Sequence, residues 1–193
     1  MNYQAIIFDF FGVFAPDVYP EWLKKYIPDS SDRMNYFLDL AQGIDKGIVT
    51  REEFLQTLGK ESGQTPEEVQ AQLDGFEIYP SMFSLAKKLS EAYKVSLLCN
   101  ASSKIVDPLI EKQGFKEFCN PIIFSSDVGM AKPQPEIYQL MLDQLSIPAD
   151  QAIFIDDRTA NVEGAQKVGI KGIHFKSFEQ LVDDLSQLGI RGL

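Results

Sequence analysis

Histidine is nearly absent from this sequence; the only one is His174. A Ser-His-Asp or Cys-His relay would have to run through it. It sits inside a late apolar stretch, Gly172-Ile173-His174-Phe175, where a packed or half-exposed ring is expected. A histidine-rich zinc site is therefore excluded. Cysteine is almost as scarce. Cys99 and Cys119 are too few for a disulfide framework and suit a reducing, cytoplasmic compartment. No apolar run approaches the roughly 20 residues of a membrane span. Met1 to Gln4 carries no basic region, so no signal peptide is expected. Positive charge is in deficit, with 18 Lys and Arg against 28 Asp and Glu and a net charge of -10. That argues against a nucleic-acid or anionic-membrane surface. It leaves a phosphorylated small molecule open as partner, because a cleft can set its own field.

What is present is an ordinary globular composition in 193 residues, enough for one good core or a core with a small insert. The chain opens on a strand, Ala5-Ile6-Ile7-Phe8, whose apolar run reads as buried on both faces. Residues 15–79 then carry helical patterns only. Pro20 to Tyr26 is a short amphipathic piece, and Arg33 to Gln42 places Met34, Phe37, Leu38 and Ala41 on one face. Thr50 to Glu53 and Thr65 to Glu68 are capping boxes, each opening a helix with apolar periodicity. After Pro80 the pattern becomes strand-helix alternation, with strands expected at 94–99, 121–125, 152–156 and 171–175 and a last capping box from Ser177 to Gln180. Such alternation predicts an α/β fold, a doubly wound parallel Rossmann-like sheet with right-handed crossovers. The division expected is a sheet core of residues 1–14 plus 80–193, interrupted by an all-helical insert at 15–79.

Ligands of open α/β sheets sit at the carboxyl ends of strands, and four strand ends here carry polar residues. The first gives Asp9, followed by Phe10, Phe11 and Gly12. The second gives Cys99-Asn100-Ala101, a small turn opening a helix whose N–H groups suit an anion. After the third comes Lys132, which Pro133 keeps extended. The fourth ends in Asp156-Asp157. Adjacent buried carboxylates repel, and a hard cation such as Mg2+ with oxygen ligands resolves that. An aspartate nucleophile, an anion site, a lysine and a metal site together describe phosphoryl transfer through an aspartyl-phosphate.

In this order the motifs resemble those of the haloacid dehalogenase (HAD) superfamily over the whole chain. Phe8 to Val13 looks like its first motif, Leu97 to Asn100 its second, Lys132-Pro133 its third and Phe154 to Asp157 its fourth. The resemblance implies that Asp9 attacks phosphorus. It implies that Mg2+ is held by Asp9, the backbone carbonyl of Phe11 and Asp157, with Asp156 behind them. Lys132 would neutralise Asp9 and the phosphoryl group, with Cys99, Asn100 and Ala101 on the phosphate. The helical insert would be a cap that closes over the substrate and selects it. The expected activity is a Mg2+-dependent phosphatase for a small organic phosphate, sugar phosphates included, working as a monomer or homodimer.

Two positions depart from the family pattern. Phe11 stands where its phosphatases usually carry a second aspartate, the general acid and base. Its absence predicts a catalytic deficit of roughly 10²–10⁴-fold, worst for poor leaving groups. Cys99 stands where serine or threonine is usual, and a thiol is a weak donor. Phe11 also suits a metal-independent 2-haloacid dehalogenase, which carries an aromatic residue there, whereas Asp156-Asp157 argues against that branch. A third possibility is a catalytically weak member that binds a phosphorylated ligand or a partner.

Overall fold

The computed structural model describes residues 2–27 and 31–193, so Met1 and residues 28–30 lie outside the description. Five strands appear among the described residues: β1 (Ala5–Phe8), β2 (Lys94–Cys99), β3 (Cys119–Phe124), β4 (Ala152–Asp156) and β5 (Lys171–His174). They pair in parallel, in the spatial order β3-β2-β1-β4-β5. The chain works outward from β1 through β2 to β3, then crosses back to β4 and β5 on the other side. The order therefore reverses between β1 and β4, and a crevice at their carboxyl ends follows from that topology.

Side-chain alternation along the strands divides the core into two layers. Ile6 and Phe8 face one side, with α5 (Pro80–Leu89), α6 (Ser103–Gln113) and α10 (Phe178–Gln187) packed over them. Ala5 and Ile7 face the other, under α8 (Pro135–Leu145) and α9 (Thr159–Lys167). The central strand is buried on both faces because both are covered, as its uninterrupted apolar run requires.

Between β1 and α5 lie α1 (Tyr19–Tyr26), α2 (Ser31–Asp45), α3 (Arg51–Ser62) and α4 (Pro66–Asp74). They bury a cluster of their own around Trp22, Leu23, Phe37, Leu58 and Val69, and Ile105 of α6 packs against it from the sheet side. Thr50 and Thr65 each accept the N–H three residues on, and Glu53 and Glu68 reciprocate, so both capping boxes form. The two connections to the sheet run side by side, with the Tyr79 N–H donating to the Phe14 carbonyl at 2.7 Å.

Local readings differ in three places. Leu38, expected on the packed face of α2, is 42% exposed: Phe37 of the same stripe is buried in the helical core, while Leu38 at its edge lines a cavity. The third strand starts at Cys119 and Ser125 already opens the short helix α7 (Ser125–Val128). The expected box at Ser177 forms by half: Ser177 accepts the Gln180 N–H, but the Gln180 side chain reaches back to the Lys176 N–H instead.

Candidate active site

Parallel register puts two carboxylates side by side. Phe8 is level with Ile155, and the Asp9 N–H continues the ladder to the Ile155 carbonyl at 2.9 Å. The next residues on these neighbouring strands are Asp9 and Asp156, both buried. Lys132 resolves the clash. Its buried Nζ lies 2.7 Å from Asp9 Oδ1 and 2.8 Å from Asp156 Oδ2. The two carboxylates raise the lysine above its ordinary range although burial alone would lower it.

The Lys132 loop is fixed by Asn100. Its Nδ2 donates to the Lys132 carbonyl at 2.8 Å and its Oδ1 accepts the Lys132 N–H at 2.9 Å. The side chain read as a phosphate contact thus spends both ends of its amide on positioning the lysine. The Ala101 N–H donates to Ser125 Oγ at 3.0 Å. The Cys99 thiol is fully buried, and burial together with the Asp9 charge pushes it up, so it packs as a small apolar group.

Asp156 and Asp157 are adjacent yet oppositely placed. Asp156 accepts from Lys132, from the Arg158 N–H at 2.8 Å and from Asn161 Nδ2 at 3.0–3.1 Å. Burial alone would raise it, but Lys132 and these donors hold it below the ordinary carboxylate range. His174 Nε2 donates to the Asp157 carbonyl at 2.8 Å, which gives the lone histidine a structural task. The Asp157 carboxylate folds over Gly12, which has φ +81°, and a Cβ there would lie 2.3 Å from it. Asp157 Oδ1 is buried with no hydrogen-bond partner among the described residues. Burial, and then the Asp156 charge, raise Asp157 above its ordinary value. Burial likewise lifts Asp9 well above its own, against the pull of Lys132 and with Asp156 adding to the rise.

Ligand atoms of Asp9, Asp156 and Asp157 lie within 4.8 Å of one another. Buried carboxylate oxygens with raised affinity for protons, one of them orphaned, fit a hard cation with oxygen ligands. Asp156 is already saturated, so Asp9 and Asp157 are the side chains with capacity to spare.

A cavity of about 290 Å³ opens over these residues. Asp9, Asn100, Asn161 and Arg158 form its floor, while Tyr19, Leu38, Ala41, Phe54 and Leu73 of the helical block line its other side. Phe11 stands edge-on to Phe10 and Phe76 and presents an apolar wall. Three carboxylates at the cavity, Asp17, Asp45 and Asp74, carried no motif and escaped the sequence reading, and Asp74 is paired with Arg51 of α3. Asp17 is paired with Arg158 at 2.6 Å. Asp45, at the end of α2, is half-buried and makes no hydrogen bond or ion pair among the described residues.

A family model described as haloacid dehalogenase-like hydrolase matches residues 48–175, about two thirds of the chain. That span includes Asn100, Lys132, Asp156 and Asp157 and begins after Asp9. The chain is 24% identical over 184 residues to the D-ribitol-5-phosphate phosphatase of Bacteroides thetaiotaomicron, covering 87% of this chain and 89% of that one. A HAD family enzyme of the same bacterium, solved in complex with magnesium and inorganic phosphate, superimposes with a TM-score of 0.73. It is 21% identical, with 93% of this chain and 99% of that one covered. The L-2-haloacid dehalogenase of Xanthobacter autotrophicus gives a TM-score of 0.64 at 18% identity, covering 96% and 83%. Similarity at these levels to solved structures establishes the shared fold.

Proposed function

Since the chain belongs to the haloacid dehalogenase-like hydrolases, we propose that it is a magnesium-dependent phosphatase of small organic phosphates, with Asp9 as nucleophile. The observation that carries this reading is the orphaned Asp157 oxygen beside an Asp9–Lys132 pair at the sheet's switch point. Asp9, the Phe11 backbone carbonyl and Asp157 would hold the metal, with Asp156 anchoring Lys132 and Asn161 behind them. The bound cation supplies positive charge that keeps Asp9 ionised and draws in the phosphoryl group.

Asp9 attacks phosphorus, the bond to the leaving oxygen breaks, and water then frees Asp9 from its aspartyl-phosphate. Lys132 offsets the phosphoryl charge, and the N-terminus of α6 turns its backbone donors toward it. Cys99, Asn100 and Ala101 shape that turn, and Asn100 holds the lysine loop. Residues 15–79 act as a cap on the core of residues 1–14 and 80–193. The close approach of Gly47 to the Ser126 carbonyl, where an added Cβ would come within 3.0 Å, supports a cap docked over the site. The phosphatase relative that shares most of the chain's length supports a sugar or polyol phosphate as substrate. Two free, buried cysteines support a reducing, cytoplasmic setting.

The test is acid-quench mass spectrometry during turnover of polyol and sugar phosphates, with and without magnesium. Phosphate on Asp9, lost in Asp9→Asn and in chelator along with turnover, is the expected result. Full activity in chelator, with halide released from a 2-haloacid, would overturn it.

A further inference from the structure

Phe11 leaves the reaction without its usual proton donor, and the cavity offers a replacement from the opposite side. We propose that Asp45 is the general acid and base. It donates its proton to the leaving oxygen as Asp9 attacks phosphorus. It then takes a proton from the water that attacks the aspartyl-phosphate, releasing phosphate and restoring both carboxyls. This rests on the phosphatase reading above.

Elimination among the cavity's carboxylates singles it out. Asp9 is paired with Lys132, Asp17 with Arg158 and Asp74 with Arg51. Each of these three is already engaged by a cation at hydrogen-bonding distance. Asp45 alone among the four lacks such a partner among the described residues.

Its place in the fold adds a second reason. Asp45 closes α2, whose last turn carries no basic residue, so a negative charge there meets the negative end of the helix uncompensated. The turn that follows brings Gly47 against Ser126 of the sheet side, which holds Asp45 over the strand ends.

The groups acting on it are Arg158 and Lys132 from the sheet side, Asp17 from the linker and Lys46 beside it. The Tyr19 hydroxyl, also influenced by Asp45, is engaged with the Phe37 carbonyl. Burial pushes Asp45 up to about 7, against the pull of Arg158 and Lys132 and with Asp17 adding to the rise. A group titrating there holds its proton often enough for the first step and lacks it often enough for the second.

The experiment compares wild type, Asp45→Asn and Asp45→Glu on aryl and alkyl phosphates, by rapid quench and steady state. In Asp45→Asn, alkyl phosphate cleavage should fall roughly 10²–10⁴-fold. Aryl phosphates, whose leaving oxygens need no proton, should show a burst followed by slow release of Asp9. The fall in wild-type alkyl cleavage as pH rises through about 7 should vanish in Asp45→Asn, and Asp45→Glu should recover part of the rate. Equal losses of the first, cleavage step on both substrate classes in rapid quench, or alkyl cleavage within a few-fold of wild type, would overturn the assignment. If wild type shows phosphate on Asp9 while Asp45→Asn leaves the alkyl-to-aryl ratio unchanged, this inference alone falls. If no phosphomonoester labels Asp9 in wild type, both fall.

Discussion

The two sides of the cavity are built on opposite terms. On the sheet side almost every polar atom is engaged: Asn100 grips the Lys132 backbone, Lys132 bridges two aspartates, and Asp156 has no bonding capacity left. The orphan there, among the described residues, is Asp157 Oδ1. The helical side is mostly apolar; its Asp74 is paired with Arg51, and its Asp45 has no partner among the described residues. A saturated network defines geometry, because each member is over-determined by its neighbours. An apolar wall defines volume and polarity, and tolerates exchange. The sheet side is thus the more rigidly specified of the two.

The strongest challenge to this contrast is Lys132→Met. It leaves Asp9 and Asp156 facing each other without a cation, and the loss should be about 3–5 kcal/mol of folding stability in urea titrations. A loss under about 1 kcal/mol would show the network to be far less strained than its register implies.

Next comes the orphaned oxygen. Saturating magnesium should raise the melting temperature by roughly 5–10 °C, from binding at about a hundred times Kd. Asp157→Asn should erase most of that rise. An unchanged rise in the variant would move the cation away from Asp157.

On the helical side, stability should fall as pH climbs. Asp45 holds its proton more tightly folded than unfolded, so its stabilising contribution is complete below about pH 4 and is lost as pH rises through about 7. Asp45→Asn should therefore be more stable than wild type at pH 8 by about 1–2 kcal/mol, with no difference near pH 4. Identical stability at both pH values would mean that Asp45 is solvated as an ion.

The smallest effect is Thr50→Ala, which removes a helix cap remote from the chemistry. It should cost about 1 kcal/mol and leave magnesium binding intact. A loss of magnesium response in this variant would show that the two sides are less separate than described.

The strands were legible because buried parallel strands spell themselves as apolar runs, and the helix starts because capping boxes are local chemistry. Asp9, Lys132 and Asp156-Asp157 stood out because polar residues directly after apolar runs are conspicuous. The task of Asn100 was less visible: a bond between residues 32 positions apart depends on how two loops meet. Asp45 was invisible for the same reason, since its meaning comes from where α2 ends in space. Leu38 shows the limit of periodicity. An apolar stripe reads alike whether it faces a core or a cavity.

The single hydrogen bond from Tyr79 to Phe14 has a consequence for the chain as a polymer. The helical insert leaves and rejoins the sheet at adjacent points, so the core meets it as it would a tight turn. Loop-closure entropy grows only with the logarithm of loop length. Lengthening or shortening what lies between those points therefore adds little closure cost to the core's folding. The chain's closure around the sheet is thus nearly indifferent to the length of the insert.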